Sequence, residues 1–207
     1  MKTSVYIDGF NLYYGSLKGT SYKWLDPSAL CGVMIPRNTV TSIKYFTARV
    51  SARPGDPDQP TRQGIYLRAL RTIPHLSIYY GHYLTHVVRM HMAHPQPGEN
   101  PYVEVIKTEE KGSDVNLATQ LLVDVCAGTF DCAVIISGDS DLKSPVQMVM
   151  ERYHKTVGVL NPQKVLCAAL KEVAGFYKHI RESALQASQF PPVLTDKMGS
   201  FHKPSSW

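Results

Sequence analysis

Cys132-Ala133-Val134-Ile135-Ile136-Ser137 is an unbroken apolar run that ends in Gly138-Asp139-Ser140-Asp141. A continuous run of this kind, in place of an alternating one, fits a strand covered on both faces. Asp141–Tyr153 follows at helical spacing, with Pro145 tolerable in its first turns. Thr156–Leu160 is another strand, and Lys164–Phe176 reads as a helix. Strand, helix, strand, helix in this rhythm predicts parallel units with right-handed crossovers. Working backwards, Gly112–Cys126 places Leu117, Ala118, Leu121, Leu122 and Val125 at helical spacing.

In the first half, Ser4–Asp8 is a short buried strand ending in Asp-Gly, followed by helical segments over Phe10–Leu17 and Pro27–Val33. Ser42–Val50 is the second strand, Arg53–Pro60 a loop, and Gly64–Thr72 an amphipathic helix carrying arginines. Leu76–Leu84 is β-like. Val87–Met92 and Tyr102–Lys107 flank the Pro/Gly-rich stretch Pro95–Pro101 and suit a hairpin insertion at about 85–108. From about Ser188 the chain is rich in Pro and Ser and is expected to run over the surface. The fold class expected is α/β: one domain with a mostly parallel central sheet, helices on both faces and a small β-hairpin insertion.

The bulk numbers agree with one domain. The chain has 207 residues, 43% hydrophobic and 19% charged, which excludes a wholly disordered protein. No apolar run approaches the roughly 20 residues of a membrane helix, and the N-terminus is too short and mixed for a secretory signal. Four cysteines (Cys31, Cys126, Cys132, Cys167) form no CxxC pair, which suits a reduced, cytoplasmic protein. The net charge of +5 is unevenly spread. Residues 37–75 hold seven basic residues against two acidic ones, whereas 114–151 hold one lysine against six acidic residues. Basic surface suits a polyanion and clustered carboxylates suit a cation.

In open parallel sheets, ligands bind outside the carboxyl ends of the strands. Two strands here end in acid, at Asp8 and at Asp139/Asp141. If they lie side by side, three carboxylates converge, and such neighbours raise one another's pKa unless a cation sits between them. Hard oxygen ligands without a Cys/His set favour Mg²⁺ or Mn²⁺. The competing reading of Asp139 or Asp141 is a helix N-cap. Asp114 tops the apolar stripe of Leu117 and Leu121 and is a third source of carboxylate, although first-turn Asp also suits the helix dipole. Asp124 and Asp131 read as solvated. Asn11 and Ser137 could bind a phosphate or simply satisfy turns. Arg68 and Arg71 of the basic helix, with Lys111 and Lys143, are candidates to hold a nucleic-acid backbone. Tyr13 and Tyr14 could stack on unpaired bases, against a core-packing alternative for at least one of them.

Three segments together resemble the signatures of the NYN domain, the LabA-like branch of the PIN-like nucleases, in its bacterial type. They are Asp8-Gly-Phe-Asn11-Leu-Tyr-Tyr, Glu110-Lys-Gly-Ser-Asp114-Val-Asn-Leu-Ala and Val134-Ile-Ile-Ser-Gly-Asp139-Ser-Asp141-Leu. The resemblance covers about residues 1–180, with 181–207 as a C-terminal extension packing on or trailing from the domain. It implies a Rossmann-like PIN fold and Mg²⁺- or Mn²⁺-dependent phosphodiester cleavage, of RNA ahead of DNA. Asp8, Asp114, Asp139 and Asp141 match the family's acidic positions and Asn11 its polar one. Some members carry a Cys pair in the hairpin. This chain has His91 and His94 there, and with His82 and His86 they need not share a face. A homo-oligomer is left open.

The expected chemistry is hydrolysis at phosphorus by metal-activated water. A DxD glycosyltransferase would leave Asp8 and Asp114 unexplained. A haloacid-dehalogenase-type phosphatase needs an acid where Phe10 stands. The stronger rival is a non-catalytic module that binds RNA or protein.

Overall fold

Strand β1 (Lys2–Asp8) is buried at every position after Lys2, and the rest of the sheet is assembled around it. The computed structural model describes residues 1–96, 98 and 100–207. In chain order the strands are β1, β2 (Thr39–Thr47), β3 (Leu76–Tyr80), β4 (His82–His91), β5 (Tyr102–Lys111), β6 (Cys132–Ile136), β7 (Thr156–Asn161), β8 (Phe176–His179), β9 (Val193–Asp196) and β10 (Gly199–His202). Six of them form one parallel sheet in the order β3-β2-β1-β6-β7-β8. Chain progression reverses direction between β1 and β6. That is the switch point at which doubly wound folds open a ligand crevice.

The helices are α1 (Gly9–Leu12), which continues into a π-helical turn at Tyr13–Leu17, then α2 (Pro27–Met34), α3 (Gln59–Leu70), α4 (Ser113–Cys126), α5 (Lys143–Arg152), α6 (Ala168–Val173) and α7 (Glu182–Ala187). Alternate strand residues point to opposite faces, so the sheet has two cores. Val5, Ile7, Ile43, Tyr45, Val134 and Ile136 pack against Leu12, Leu30, Leu67, Leu70 and Leu185. Tyr6, Phe46, Ala133 and Ile135 pack against Leu117, Leu121, Val146 and Leu170 on the other side. The continuous apolar runs of β1 and β6 are the consequence of both faces being covered.

Several boundaries differ from expectation. The Leu76–Leu84 segment is two strands that separate at Gly81, where a Cβ would come within 2.6 Å of the Lys111 carbonyl. The hairpin arms are longer than expected and pair from His82↔Lys111 to His91↔Tyr102. Pro97 and Glu99, within the stretch that links the arms, lie outside the described residues. Lys164–Phe176 is helical only over Ala168–Val173, because Gly175 and Phe176 turn into the sixth sheet strand. The tail does not simply trail over the surface. Phe190 and Phe201 are buried against Trp24, and β9 pairs with β10 in a hairpin.

Asp124 is not solvated. It is buried, accepting 2.6 and 2.8 Å bonds from the Lys44 ammonium and one at 2.5 Å from the Tyr6 hydroxyl. Asp131 is exposed as expected. All four cysteines are free, and no described helix is long and apolar enough to cross a membrane.

Candidate functional site

The parallel register of β1 with β6 (Ile7↔Ile136) brings the chain after Asp8 beside the chain after Ile136 at one edge. Asp8 caps α1, its Oδ1 accepting the Asn11 amide at 2.9 Å. Its Oδ2 accepts the Ser137 hydroxyl at 3.2 Å, and the same hydroxyl accepts the Asp139 amide at 3.1 Å. Ser137 is therefore fully buried with its bonds spent inside the chain, and it ties the two acidic turns together without reaching a ligand. Asp139 also makes the N-cap expected of it, its Oδ1 accepting the Asp141 amide at 3.0 Å, which leaves its other carboxylate oxygen without a hydrogen bond among the described residues.

Asn11 faces the same edge. Its Oδ1 accepts the Gly138 amide and the Gln163 side-chain amide, both at 2.9 Å, which leaves its own amide nitrogen to donate outward. Gln163 was not singled out by sequence. The signal was available, because it follows the buried strand β7 as Asn11 follows β1. Gly138 is required there, since a Cβ would lie 2.5 Å from the Asn161 Oδ1.

The carboxylates feel one another. Asp8 is only 5% exposed, and burial pushes its pKa up from 3.8 to about 7, with the Asp114 and Asp139 charges adding to the rise against hydrogen bonds from Asn11 and Ser137. Asp114 is also raised, first by desolvation and then by Asp139, Glu110 and Asp141. Asp114 and Asp141 are exposed, so Asp114 stands at the solvent end of its helix stripe and not beneath it. Glu110, quoted in its signature but not proposed for the site, is the fifth carboxylate of the group. Its Oε1 accepts the Ser113 hydroxyl at 2.8 Å. Among the described residues no three acidic, His or Cys side chains are spaced to cage an ion as they stand. That includes His82, His86, His91 and His94.

Residues 2–180 match the NYN domain. The chain belongs to the NYN domain family. Along its full length it is also 33% identical, over 238 aligned residues, to 6-hydroxy-3-succinoylpyridine 3-monooxygenase HspA of Pseudomonas putida (strain DSM 28022 / S16), of which it covers 75%. A solved structure of a protein of unknown function, VPA0982 from Vibrio parahaemolyticus RIMD 2210633, superposes with a TM-score of 0.58. It is 18% identical, with 91% of this chain and 96% of that one covered, so the likeness is one of fold.

Around this NYN edge the basic residues are mostly engaged. The Arg68 guanidinium donates to both Asp196 oxygens at 2.7 and 2.6 Å and to the Gly199 carbonyl, and it lies 4.1 Å from the centre of the Phe201 ring. That fork holds the β9–β10 hairpin and draws the Asp196 pKa down to about 2, so it is not free to grip a phosphate. Arg71 donates to the Tyr80 hydroxyl, Lys111 pairs with Glu109 and Lys143 with Glu172. Arg68→Ala is expected to release the C-terminal hairpin, read as faster limited proteolysis within 190–207, with little change in affinity for nucleic acid. A selective loss of affinity with an intact tail would return Arg68 to the binding surface.

Beside the edge lies a cavity of about 310 Å³. Gly9 and Phe10, immediately after Asp8, form one wall, and Tyr13, Tyr14, Tyr66 and Trp207 form much of the rest. Gly9 is indispensable to its shape, because a Cβ would meet the Tyr45 ring at 2.6 Å.

Proposed function

We propose that this NYN domain is a metal-dependent nuclease that hydrolyses phosphodiester bonds, in RNA ahead of DNA. The observation that carries the reading is that Asp8 is buried at the switch point within reach of the Asp114 and Asp139 charges, so that desolvation first and like charge second disfavour its ionised form, which a cation would stabilise. The donors are all hard oxygens, which fits Mg²⁺ or Mn²⁺, and divalent metals are typical of the family. Asp8 and Asp139, held by caps, would be the fixed ligands. Asp114 and Asp141, unpacked at the rim, would close on the ion. A bound ion would supply charge neutralisation at phosphorus and a water of lowered pKa.

The chain's own contribution is placement. Ser137 and the Asn11–Gly138–Gln163 bonds hold the two acidic turns together, and the Asn11 amide nitrogen can donate to a phosphate oxygen. Lys111 and Lys143, although paired, are at least a third exposed and can exchange their acidic partners for phosphates.

A second reading rests on the HspA likeness and the aromatic cavity: oxygenation of a small aromatic acid. The two separate cleanly. With labelled single-stranded RNA, the nuclease reading expects shortening in Mn²⁺ or Mg²⁺ and none with chelator. Oxygen uptake dependent on 6-hydroxy-3-succinoylpyridine and an added two-electron donor, with intact RNA, would establish the second. RNA binding with neither activity would leave a non-catalytic module.

A further inference from the structure

We propose that the cavity behind Phe10 receives an unpaired nucleobase next to the phosphodiester handled at the carboxylate edge. The inference rests on the nuclease reading and adds a base subsite to it. The walls are flat rings set at steep angles. Tyr13 and Tyr14 are 5.3 Å apart at 78°, and Tyr66 and Trp207 are 5.9 Å apart at 64°. A slot of crossed rings accepts a planar guest by stacking on one face and edge contacts on the others. Its volume of about 310 Å³ stands at the lower end of small-ligand sites, which usually run roughly 300–1,000 Å³. That admits a single base.

Tyr14 does not belong to the core. It is 50% exposed, with the Lys18 ammonium 5.0 Å from its ring centre, so the core-packing alternative fails for this residue. Polar groups are spaced among the rings. Gln59, Thr47 and Lys23 also line the cavity and can meet the edge of a base. The acid in the wall, Asp56, is neutralised by Arg62, with Lys23 left in excess, so the lining does not favour a cation. Continuity with the carboxylate edge is direct, since Gly9 follows Asp8 in sequence and lines the cavity together with Tyr45, whose ring a Cβ on Gly9 would meet at 2.6 Å. A ring seated here would hold its own phosphate towards Asp8. Stacking tolerates any base, so the site confers preference for unpaired strands more than for sequence.

The chain has two tryptophans, of which Trp207 lines the cavity and Trp24 packs behind it with ring centres 6.3 Å apart, so a change in tryptophan fluorescence on ligand binding reports on Trp207 directly and on Trp24 through it. Metal-free protein in chelator would be titrated with adenosine, AMP, ribose 5-phosphate and benzoate. Adenosine and AMP are expected to quench saturably and ribose 5-phosphate not at all. Tyr14→Ala, at an exposed position, should weaken adenosine by about tenfold. Trp207→Leu should remove the signal. Equal quenching by ribose 5-phosphate, or an unchanged Tyr14→Ala, would overturn the base subsite. Benzoate binding without adenosine would overturn it in favour of a small aromatic acid. Because no cleavage is needed, nucleoside binding without nuclease activity sinks only the nuclease reading, and cleavage without nucleoside binding sinks only this one.

Discussion

Replacing Lys44 with alanine is expected to cost the fold about 3–5 kcal/mol, the usual result of stripping one partner from a buried ion pair. Lys44 and Asp124 have side chains only 13% and 11% exposed, and the ammonium bonds both carboxylate oxygens. Without it, Asp124 keeps only the Tyr6 hydroxyl, whose own ionisation is already suppressed by burial and by Asp124. The pair also joins β2 to α4, which carries Asp114, so its loss should slacken the acidic edge. Lys44→Met with Asp124→Leu and Tyr6→Phe replaces the whole buried polar group with apolar side chains and should recover much of the stability, because no charge and no hydroxyl is then left buried and unpaired. Urea denaturation of the three proteins checks this. A single variant within 1 kcal/mol of wild type, allowing roughly that for an exposed pair, would mean that water reaches Asp124.

Asp8→Asn is expected to stabilise the metal-free protein at alkaline pH while removing the proposed nuclease activity. In the folded chain the Asp8 pKa is about 7 against an ordinary 3.8. Below about pH 4 the carboxyl is neutral folded or unfolded and imposes no penalty. Between there and about pH 7 the unfolded chain ionises first, so stability is lost as pH rises and then levels off. Asparagine stays neutral and lacks that slope. At pH 8 in chelator the variant should exceed wild type by on the order of 2–4 kcal/mol. Mn²⁺ should reverse the order by stabilising only the wild type. Parallel stability curves from pH 4 to 8 would show that Asp8 does not bear an unneutralised charge.

Much of this was legible in the chain. Val134–Ile136 and Val5–Ile7 announce strands buried on both faces, and the acids that follow them announce the edge, because a parallel sheet puts all such ends on one side. What was hidden depended on neighbours far apart in sequence. Asp124 looks solvated until β2 is known to lie beneath α4, 80 residues away from its lysine. Arg68 looks like free basic surface until the tail returns 128 residues later with Asp196. Ser137 looks like a phosphate contact until its burial is seen. The aromatic cavity was the least legible, since Tyr14, Tyr66 and Trp207 share no local pattern.

The proposed nuclease reading requires the carboxylates at the switch point to hold a metal that cuts RNA. It is tested most directly by cleavage of labelled single-stranded RNA in Mn²⁺ by wild type and by Asp139→Asn, with the fold of each verified by circular dichroism. Asp139 is half-buried and its cap can be kept by asparagine. Even outer-shell partners of a metal cost 10–100-fold, so loss of a direct ligand should lower the rate by more than about a hundredfold, with folding intact. Equal cleavage by the two proteins, or no metal-dependent cleavage by the wild type, would contradict the account.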